Sequence, residues 1–275
     1  MIAIDKRGRL GNQMFQYAFG VAVAQRLGTR QAYDTSELER YFALLESPLV
    51  RGATLRLARA YDRVFGLDRR EVEADDREDP DEVLASTANH TAYGGHFYSE
   101  HFFRPAAAAV RRAFTIRDDH LERFRAKYGT LLDGGYVGAH VRLTDFFTYR
   151  DDVTLPPGYY RRAVHELAGD LPVVVVSDEP ARVHAGFDSH PRIRVEANDE
   201  ILDFLLLTHA THVISSNSSF AWWAAWLNDR PGRRVIAPRW WLGVNARCEI
   251  PVKVIPEEWE QIEPRRPNDG EWPLV

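Results

Sequence analysis

Short apolar runs alternate along this chain with amphipathic stretches of helical period, a pattern that predicts parallel sheets flanked by helices. The second half shows it most plainly. There Tyr136–Val141, Val173–Ser177, His212–Ser215 and Arg234–Ala237 predict strands, with Ile193–Val195 as a shorter addition. The middle two are nearly unbroken apolar runs, as expected of strands covered on both faces. Helices are predicted near 158–169, 199–209 and 219–228. The first half is less regular, with strands at Ile2–Asp5, Arg30–Tyr33 and Thr91–Phe97 and helices near 13–27, 54–65 and 105–113. The acidic stretch Glu71–Glu82 reads as an exposed loop, and the glycine-rich run at 129–135 as the boundary between halves. The expectation is an α/β protein of two doubly wound domains, residues 1–133 and 134–275, facing a cleft. Ligands of such sheets sit at the carboxyl ends of strands, so chemistry is sought in the residues just past each strand.

Composition narrows the function classes. With 275 residues, 45% hydrophobic and 27% charged, the chain is large enough for two cores and has the make-up of a soluble globular protein. A net charge of −5 argues against nucleic acid as a partner. Lysine occurs only at positions 6, 127 and 253, so cationic pockets must be built from arginine, whose planar fork suits bidentate phosphate binding. The single cysteine, Cys248, excludes an internal disulfide framework and fits a reducing compartment. The glycine turn begins within seven residues of the start, leaving no room for a signal peptide, and no apolar run approaches a membrane span. A cytoplasmic location is expected, with peripheral contact at the inner face of the membrane left open.

Candidate chemistry falls at the predicted strand ends. Residues 7–20, Arg-Gly-Arg-Leu-Gly-Asn-Gln-Met-Phe-Gln-Tyr-Ala-Phe-Gly, run from a glycine-punctuated turn into a helix. Such a junction aims backbone N–H groups and the positive end of the helix dipole at one point, where an anion fits. Gly8 and Gly11 are expected to supply positive φ, and Asn12 stands where an N-cap would stand; an ordinary capped turn is the competing reading. In the next cluster His140 and Arg142 share one side of a strand, with Asp145 in the loop beyond. Arg142 is either a guanidinium fork for a diphosphate leaving group or half of a buried Arg142–Asp145 pair that holds the loop. Asp178, past Val173–Ser177, either meets ribose hydroxyls or a base edge, or caps the helix that Pro180 opens.

Asp203 by itself reads as a first-turn helix acid. The run Ser216-Asn217-Ser218-Ser219 before a helix is an anion cradle or a simple N-cap. Trp222, Trp223 and Trp226, at helical spacing beside Ala221, Ala224 and Ala225, read as packing rather than as a sugar platform. Asp79-Pro80-Asp81 sits in a charged loop, and the pairs Asp75-Asp76, Asp118-Asp119 and Asp151-Asp152 read as solvated. No histidine spacing suits zinc, so no metal site is expected. The lack of G-x-S-x-G, and of an obvious base for Cys248, disfavours a hydrolytic triad.

These pieces, in this order, resemble the family of bacterial and animal α-1,2-fucosyltransferases, glycosyltransferase family 11. The likeness is carried by Gly8–Ala18, close to that family's Gly-Gly-Leu-Gly-Asn-Gln-Met-Phe-Gln-Tyr-Ala opening, and by Tyr93–Phe103, His140–Asp145 and Ser215–Leu227. Ile236–Leu242 and Glu258-Trp259 extend it over nearly the whole chain. The resemblance implies a two-domain GT-B-like fold with two Rossmann-type domains. It implies GDP-L-fucose as co-substrate, no cofactor or metal, and inversion on transfer to the 2-hydroxyl of a terminal galactose, in an oligosaccharide or glycolipid.

In wider relatives, the α-1,6- and protein O-fucosyltransferases, the strand arginine grips the β-phosphate. An acid placed like Asp203 contacts guanine there, and the strand histidine lies near the base. A carboxylate accepting from N1–H and the 2-amino group would select guanine over adenine. By this resemblance Arg142 and Asp145 are the catalytic candidates, with Asp145 or a phosphate oxygen taking the acceptor's proton. Gly11, Asn12, His140, Arg142, Asp178, Asp203, Asn217, Ser218 and Ser219 are the donor-binding candidates. One departure stands out: the family usually has His-x-Arg-Arg-x-Asp, and here Leu143 replaces the second arginine. Alternation points residue 143 away from Arg142, so the change bears on a support contact or on acceptor choice more than on donor class. A transferase of another GDP-sugar or acceptor, and a non-catalytic GDP- or glycan-binding protein, are the alternatives.

Overall fold

In a computed structural model, which describes residues 1–72, 78–187, 192–265 and 268–273, every ladder between strands is parallel. The pair Asp75-Asp76 lies outside the described residues. The chain forms two compact units, one of Met1–Arg117 with Ile250–Pro256, the other of Asp118–Glu249 with Glu257–Val275.

The first unit contains β1 (Ile2–Ile4), α1 (Leu10–Leu27), β2 (Gln31–Ala32), α2 (Pro48–Phe65), β3 (Asp68–Val72), α3 (Pro80–Ala85), β4 (Thr91–Gly95) and α4 (Ala107–Ala113). Its sheet runs β2-β1-β4-β3. Helix α1 is apolar almost all round and is buried accordingly, with Phe19 stacked on Phe97 at 4.0 Å between ring centroids. It stops at Gly28, whose φ of 59° takes the left-handed cap that a side chain resists. Helix α2 starts six residues before its predicted position, because Ser47 accepts from the Val50 N–H and Pro48 pre-sets the first turn. The end of strand β3 and the first turn of helix α3 fall within the stretch Glu71–Glu82 expected to be a loop. Strand β3 is a sheet edge of mostly charged residues, so it carries no apolar signal and is held by its ladder to β4.

The second unit contains α5 (Asp118–Gly134), β5 (Val137–Val141), α6 (Pro157–Leu167), β6 (Val173–Ser177), α7 (Pro180–Gly186), β7 (Ile193–Glu196), α8 (Glu200–Thr208), β8 (His212–Ile214), α9 (Ser219–Leu227), β9 (Val235–Pro238) and β10 (Glu260–Ile262). All five strands predicted in this half form. The run 129–135 is not a linker: it is the end of α5 and the turn at Gly135. Of the apolar positions in α5 only Phe124 and Tyr128 are buried, too few to give the sequence a helical period. The sheet order is β10-β9-β8-β5-β6-β7. Counted from β5 this is the 3-2-1-4-5-6 order of dinucleotide-binding folds, and the chain's direction of travel reverses between β5 and β8. Trp222, Trp223 and Trp226 are all buried, with Trp222 also against Trp259, so packing is their role. Among the described residues no helix is long and apolar enough to cross a membrane.

Candidate active site

In doubly wound sheets ligands bind where the strand order reverses, and here that point lies between β5 and β8. Strand β5 is buried along its length, so the chain surfaces only at Arg142. Val141 pairs with Ser177 in the parallel register, and the next step brings Arg142 beside Asp178. The Arg142 guanidinium is 15% exposed and held from two sides. Its Nε donates to Asp145 Oδ1 at 2.9 Å, Nη2 donates to the same oxygen, and Nη1 lies 3.1 Å from Asp178 Oδ2. Of the two readings of Arg142, the structure displays the ion pair with Asp145, joined by a second carboxylate, Asp178. Asp178 does not cap α7, whose N-cap is Glu179. It accepts instead from the Leu143 N–H at 3.0 Å and from the Thr144 hydroxyl, tying the β5 loop to the end of β6.

Leu143 is buried in the hydrophobic core with Leu155 and Tyr159. A side chain at this position faces away from the edge.

Across the reversal, His140 Nδ1 is 2.7 Å from Ser216 Oγ and its ring meets Phe220 at 5.5 Å. Burial pushes the imidazole well below its ordinary range; Asp178 opposes that and Arg142 reinforces it. His140 is therefore neutral near pH 7. The polar run after β8 splits into separate tasks. Ser216 meets His140, and Ser218 caps α9 by accepting from the Phe220 N–H at 3.3 Å. Ser219 is the first residue of α9 and half-buried. Asn217, expected at the donor, is buried, and its amide donates to the carbonyls of Val153 at 2.8 Å and Trp241 at 3.4 Å. Its contacts brace two loops.

Asp203 lies in the first turn of α8, just beyond the end of β7, with Asp199 as the cap. It accepts from Asn198 Nδ2 at 2.8 Å and is half-buried. Burial pushes its carboxyl up to about 6, helped by the charges of Asp199 and Glu196 and resisted by Asn198 and Lys127. Read across β8, β5 and β6, the edge thus carries Ser216, then His140 and Arg142, then Asp178, while Asp203 sits on α8, which packs over β5 and β6 and whose Phe204, the next residue, meets Phe220 at 5.3 Å.

The first unit presents a different edge. Gly8 takes a φ of 69°, as the turn requires, but Gly11 does not: α1 has already begun at Leu10. The N-cap is Arg9, without a side-chain cap bond, and Asn12 is a helical residue. The glycine-asparagine pair is thus one turn further into the helix than spacing suggested, because Arg9 already has extended dihedrals. Asn12 Oδ1 accepts from the Tyr98 hydroxyl at 3.0 Å, and its amide closes over Gly8, where an added Cβ would lie 2.1 Å from Nδ2.

The residues that shape the turn were missed in the sequence. Gln13 Nε2 donates to the Gly8 carbonyl at 2.9 Å. The Gln16 amide accepts from the Arg7 N–H and the Tyr33 hydroxyl and donates to the Arg7 and Gly95 carbonyls. The available signal was two glutamines three apart inside an otherwise apolar, buried helix. His96 stacks on Tyr98 at 5.0 Å and is pushed down by burial and by Arg7, while Arg7 forms a two-point pair with Glu71. Among the described residues no group of three His, Cys, Asp or Glu side chains is gathered to hold a metal ion.

Fold and edge together define a doubly wound α/β protein suited to a phosphate-bearing ligand. Residues 1–243 match the profile of Glycosyl transferase family 11, and the chain belongs to that family. It is a glycosyltransferase. An α-1,2-colitosyltransferase of Escherichia coli is 24% identical over 284 aligned positions, 93% of this chain and 97% of that protein. The O-antigen biosynthesis glycosyltransferase WbnK of Escherichia coli is 28% identical over 122 residues, 40% of each chain. Among solved structures, NodZ α-1,6-fucosyltransferase from Bradyrhizobium, soaked with GDP-fucose, superposes with a TM-score of 0.53 at 18% identity, covering 82% of this chain and 92% of that one. A mutant of Arabidopsis thaliana FUT1 in complex with GDP gives 0.54 at 12% identity, covering 93% and 74%. At these identities the likeness shows the fold, which is GT-B-like.

Proposed function

We propose that the chain transfers a 6-deoxyhexose from its GDP-linked form to a glycan hydroxyl in one in-line displacement, and that the donor is GDP-L-fucose and the acceptor the 2-hydroxyl of a terminal galactose. The observation that carries this reading is Arg142 at the reversal of the second sheet, shielded from water and facing two carboxylates. Two negative groups on one guanidinium leave the edge with an excess of negative charge, so a diphosphate must displace one of them. Asp145 is the one to go. It is 53% exposed, whereas Asp178 is 18% exposed and also accepts from the Leu143 backbone N–H.

Displacement frees the Nε–Nη2 edge of Arg142 for phosphate oxygens, a charge-assisted pair of bonds. It also releases Asp145 from the guanidinium, which makes it the base for the acceptor hydroxyl only once donor is bound. As the glycosidic bond breaks, charge grows on the β-phosphate and Arg142 stabilises it. Asp203, in its ionised form, accepts from the guanine N1–H and 2-amino group. The reading assigns to Arg142 the neutralisation that a divalent cation supplies in other glycosyltransferases, so EDTA leaves the rate unchanged.

The relative that transfers colitose favours a second reading, in which the donor sugar lacks a hydroxyl that fucose has. One experiment decides between them: GDP release with GDP-L-fucose, GDP-colitose and GDP-mannose against a set of disaccharides, with product linkage read by NMR. Release from GDP-L-fucose with a terminal galactoside and an α-1,2 product is expected. A product from GDP-colitose alone establishes the second reading, and GDP binding without release from any donor overturns both.

A further inference from the structure

Helix α2 is built inside out. Its inner side, Arg51, Thr54 and Ala58, is buried, and the packing is largely polar: Arg51 is held by Glu39 at 2.9 Å and by Thr35 at 3.2 Å. Its outer side carries Leu49, Leu57 and Val64, which are 83, 62 and 70% exposed, and Phe65 at the helix end is 74% exposed. With Leu45 just before the helix, these account for five of the six large hydrophobic side chains exposed among the described residues. At about 100° per residue, Leu49, Ala53, Leu57, Ala60 and Val64 fall in one stripe about 80° wide.

The stripe has a charged border. Arg56, Arg59 and Arg63 are exposed along one flank, and Tyr61 and Phe65, with rings 5.1 Å apart, line the other. It has no carboxylate of its own. Asp62, the helix's single acid, lies on the opposite side and is spent on Arg69 at 2.6 Å and on the Leu67 N–H at 2.9 Å. An isolated exposed leucine needs no explanation. A stripe about four turns long, on a helix that is polar toward its own protein, marks an interaction surface.

We propose that this face of α2 lies on an anionic lipid surface. Leu49, Leu57 and Val64 enter the boundary between headgroups and acyl chains, and the three arginines meet lipid phosphates. Charge selects this occupant. A second copy seated on the stripe would bring another row of arginines with no carboxylate to receive them, whereas an anionic headgroup layer neutralises all three. The inference uses neither the donor nor the acceptor proposed above, and vesicle binding is read without either.

The test is flotation of the full chain with vesicles of phosphatidylcholine alone and of phosphatidylcholine with one third phosphatidylglycerol, at low and high salt. Binding to the anionic vesicles is expected, on the order of 100-fold tighter than to neutral ones, from about fivefold per arginine, and weakened by salt. Leu57→Ser with Val64→Ser lowers it at least tenfold, and Arg56→Gln with Arg59→Gln and Arg63→Gln abolishes the anionic preference. These positions face solvent, so Tm and GDP release on a soluble acceptor stay at wild-type values. No binding, or equal binding to both vesicles, overturns the proposal. So does a dimer in sedimentation that Leu57→Ser with Val64→Ser dissolves, which would make a second copy the occupant.

Discussion

At the carboxyl edge of the first sheet, neutral groups shape the turn before α1: the amides of Gln13 and Gln16, the hydroxyls of Tyr33 and Tyr98, and backbone carbonyls. At the same edge of the second sheet, the central group is a cation locked between two carboxylates. The first arrangement is held by neutral hydrogen bonds, with Gln13 Oε1 buried and without a partner. Under the proposed function the second opens, because a diphosphate and Asp145 compete there for the same guanidinium edge. Substitutions at the first edge are therefore expected to act mainly on stability, and those at the second on turnover.

The largest effect is expected for Arg142→Ala, a loss of turnover of about 10²–10³ or more in GDP release. Arg142→Lys keeps the charge but not the planar fork and recovers only a small part. A rate near wild type for Arg142→Ala would reduce the second edge to a structural ion pair and erase the contrast.

Asp203→Asn comes next, raising the donor KM about tenfold as one acceptor for the guanine N–H groups is lost. Its carboxyl sits at about 6 in the folded protein against an ordinary 3.8. Donor affinity of the wild type should fall below pH 6 as the carboxylate protonates, and that of Asp203→Asn should not. Stability runs the other way. The folded protein binds this proton more tightly than the unfolded chain, so ionising the group costs folding free energy as pH rises from about 4 to 6. Ligand-free Asp203→Asn should thus melt about 2–4 °C above wild type at pH 8 and no higher at pH 4. An unchanged pH profile would mean that the acid neither meets the donor nor is burdened by burial.

Gln16→Leu tests the first edge. It removes four bonds from a fully buried site and is expected to cost about 2–3 kcal/mol in urea unfolding, with a smaller change in turnover than at Arg142. Gly8→Ala is smaller still, about 1–2 kcal/mol, from a positive φ and the clash with Asn12. Adding Asn12→Ala should return the part due to the clash. If either variant destroyed catalysis while leaving stability intact, the first edge would be a working group rather than a frame.

Much of the second edge was legible. A run such as Val173–Ser177, or the polar tail after Tyr136–Val141, is a local signal: burial on both faces demands apolar residues, and the first polar ones mark the carboxyl end. The second partner of Arg142 was not legible, because Asp178 reaches it only through the parallel register of β5 and β6. Asn217 looked like its serine neighbours in the sequence, and only the return of the loops at Val153 and Trp241 turned its amide inward. At the first edge the glycine spacing located the turn but misplaced the helix start, since the decisive dihedrals belong to Arg9.

By itself the chain determined that parallel strands would alternate with helices and which short segments would surface at their ends, because hydrophobic period and breaking residues act over a few neighbours. Only the tertiary structure decided which of those segments meet. Strand order sets adjacency between residues far apart in sequence, and through it the charge balance around Arg142, the bracing of the Gly8 turn by Gln16, and the side of α2 left facing water.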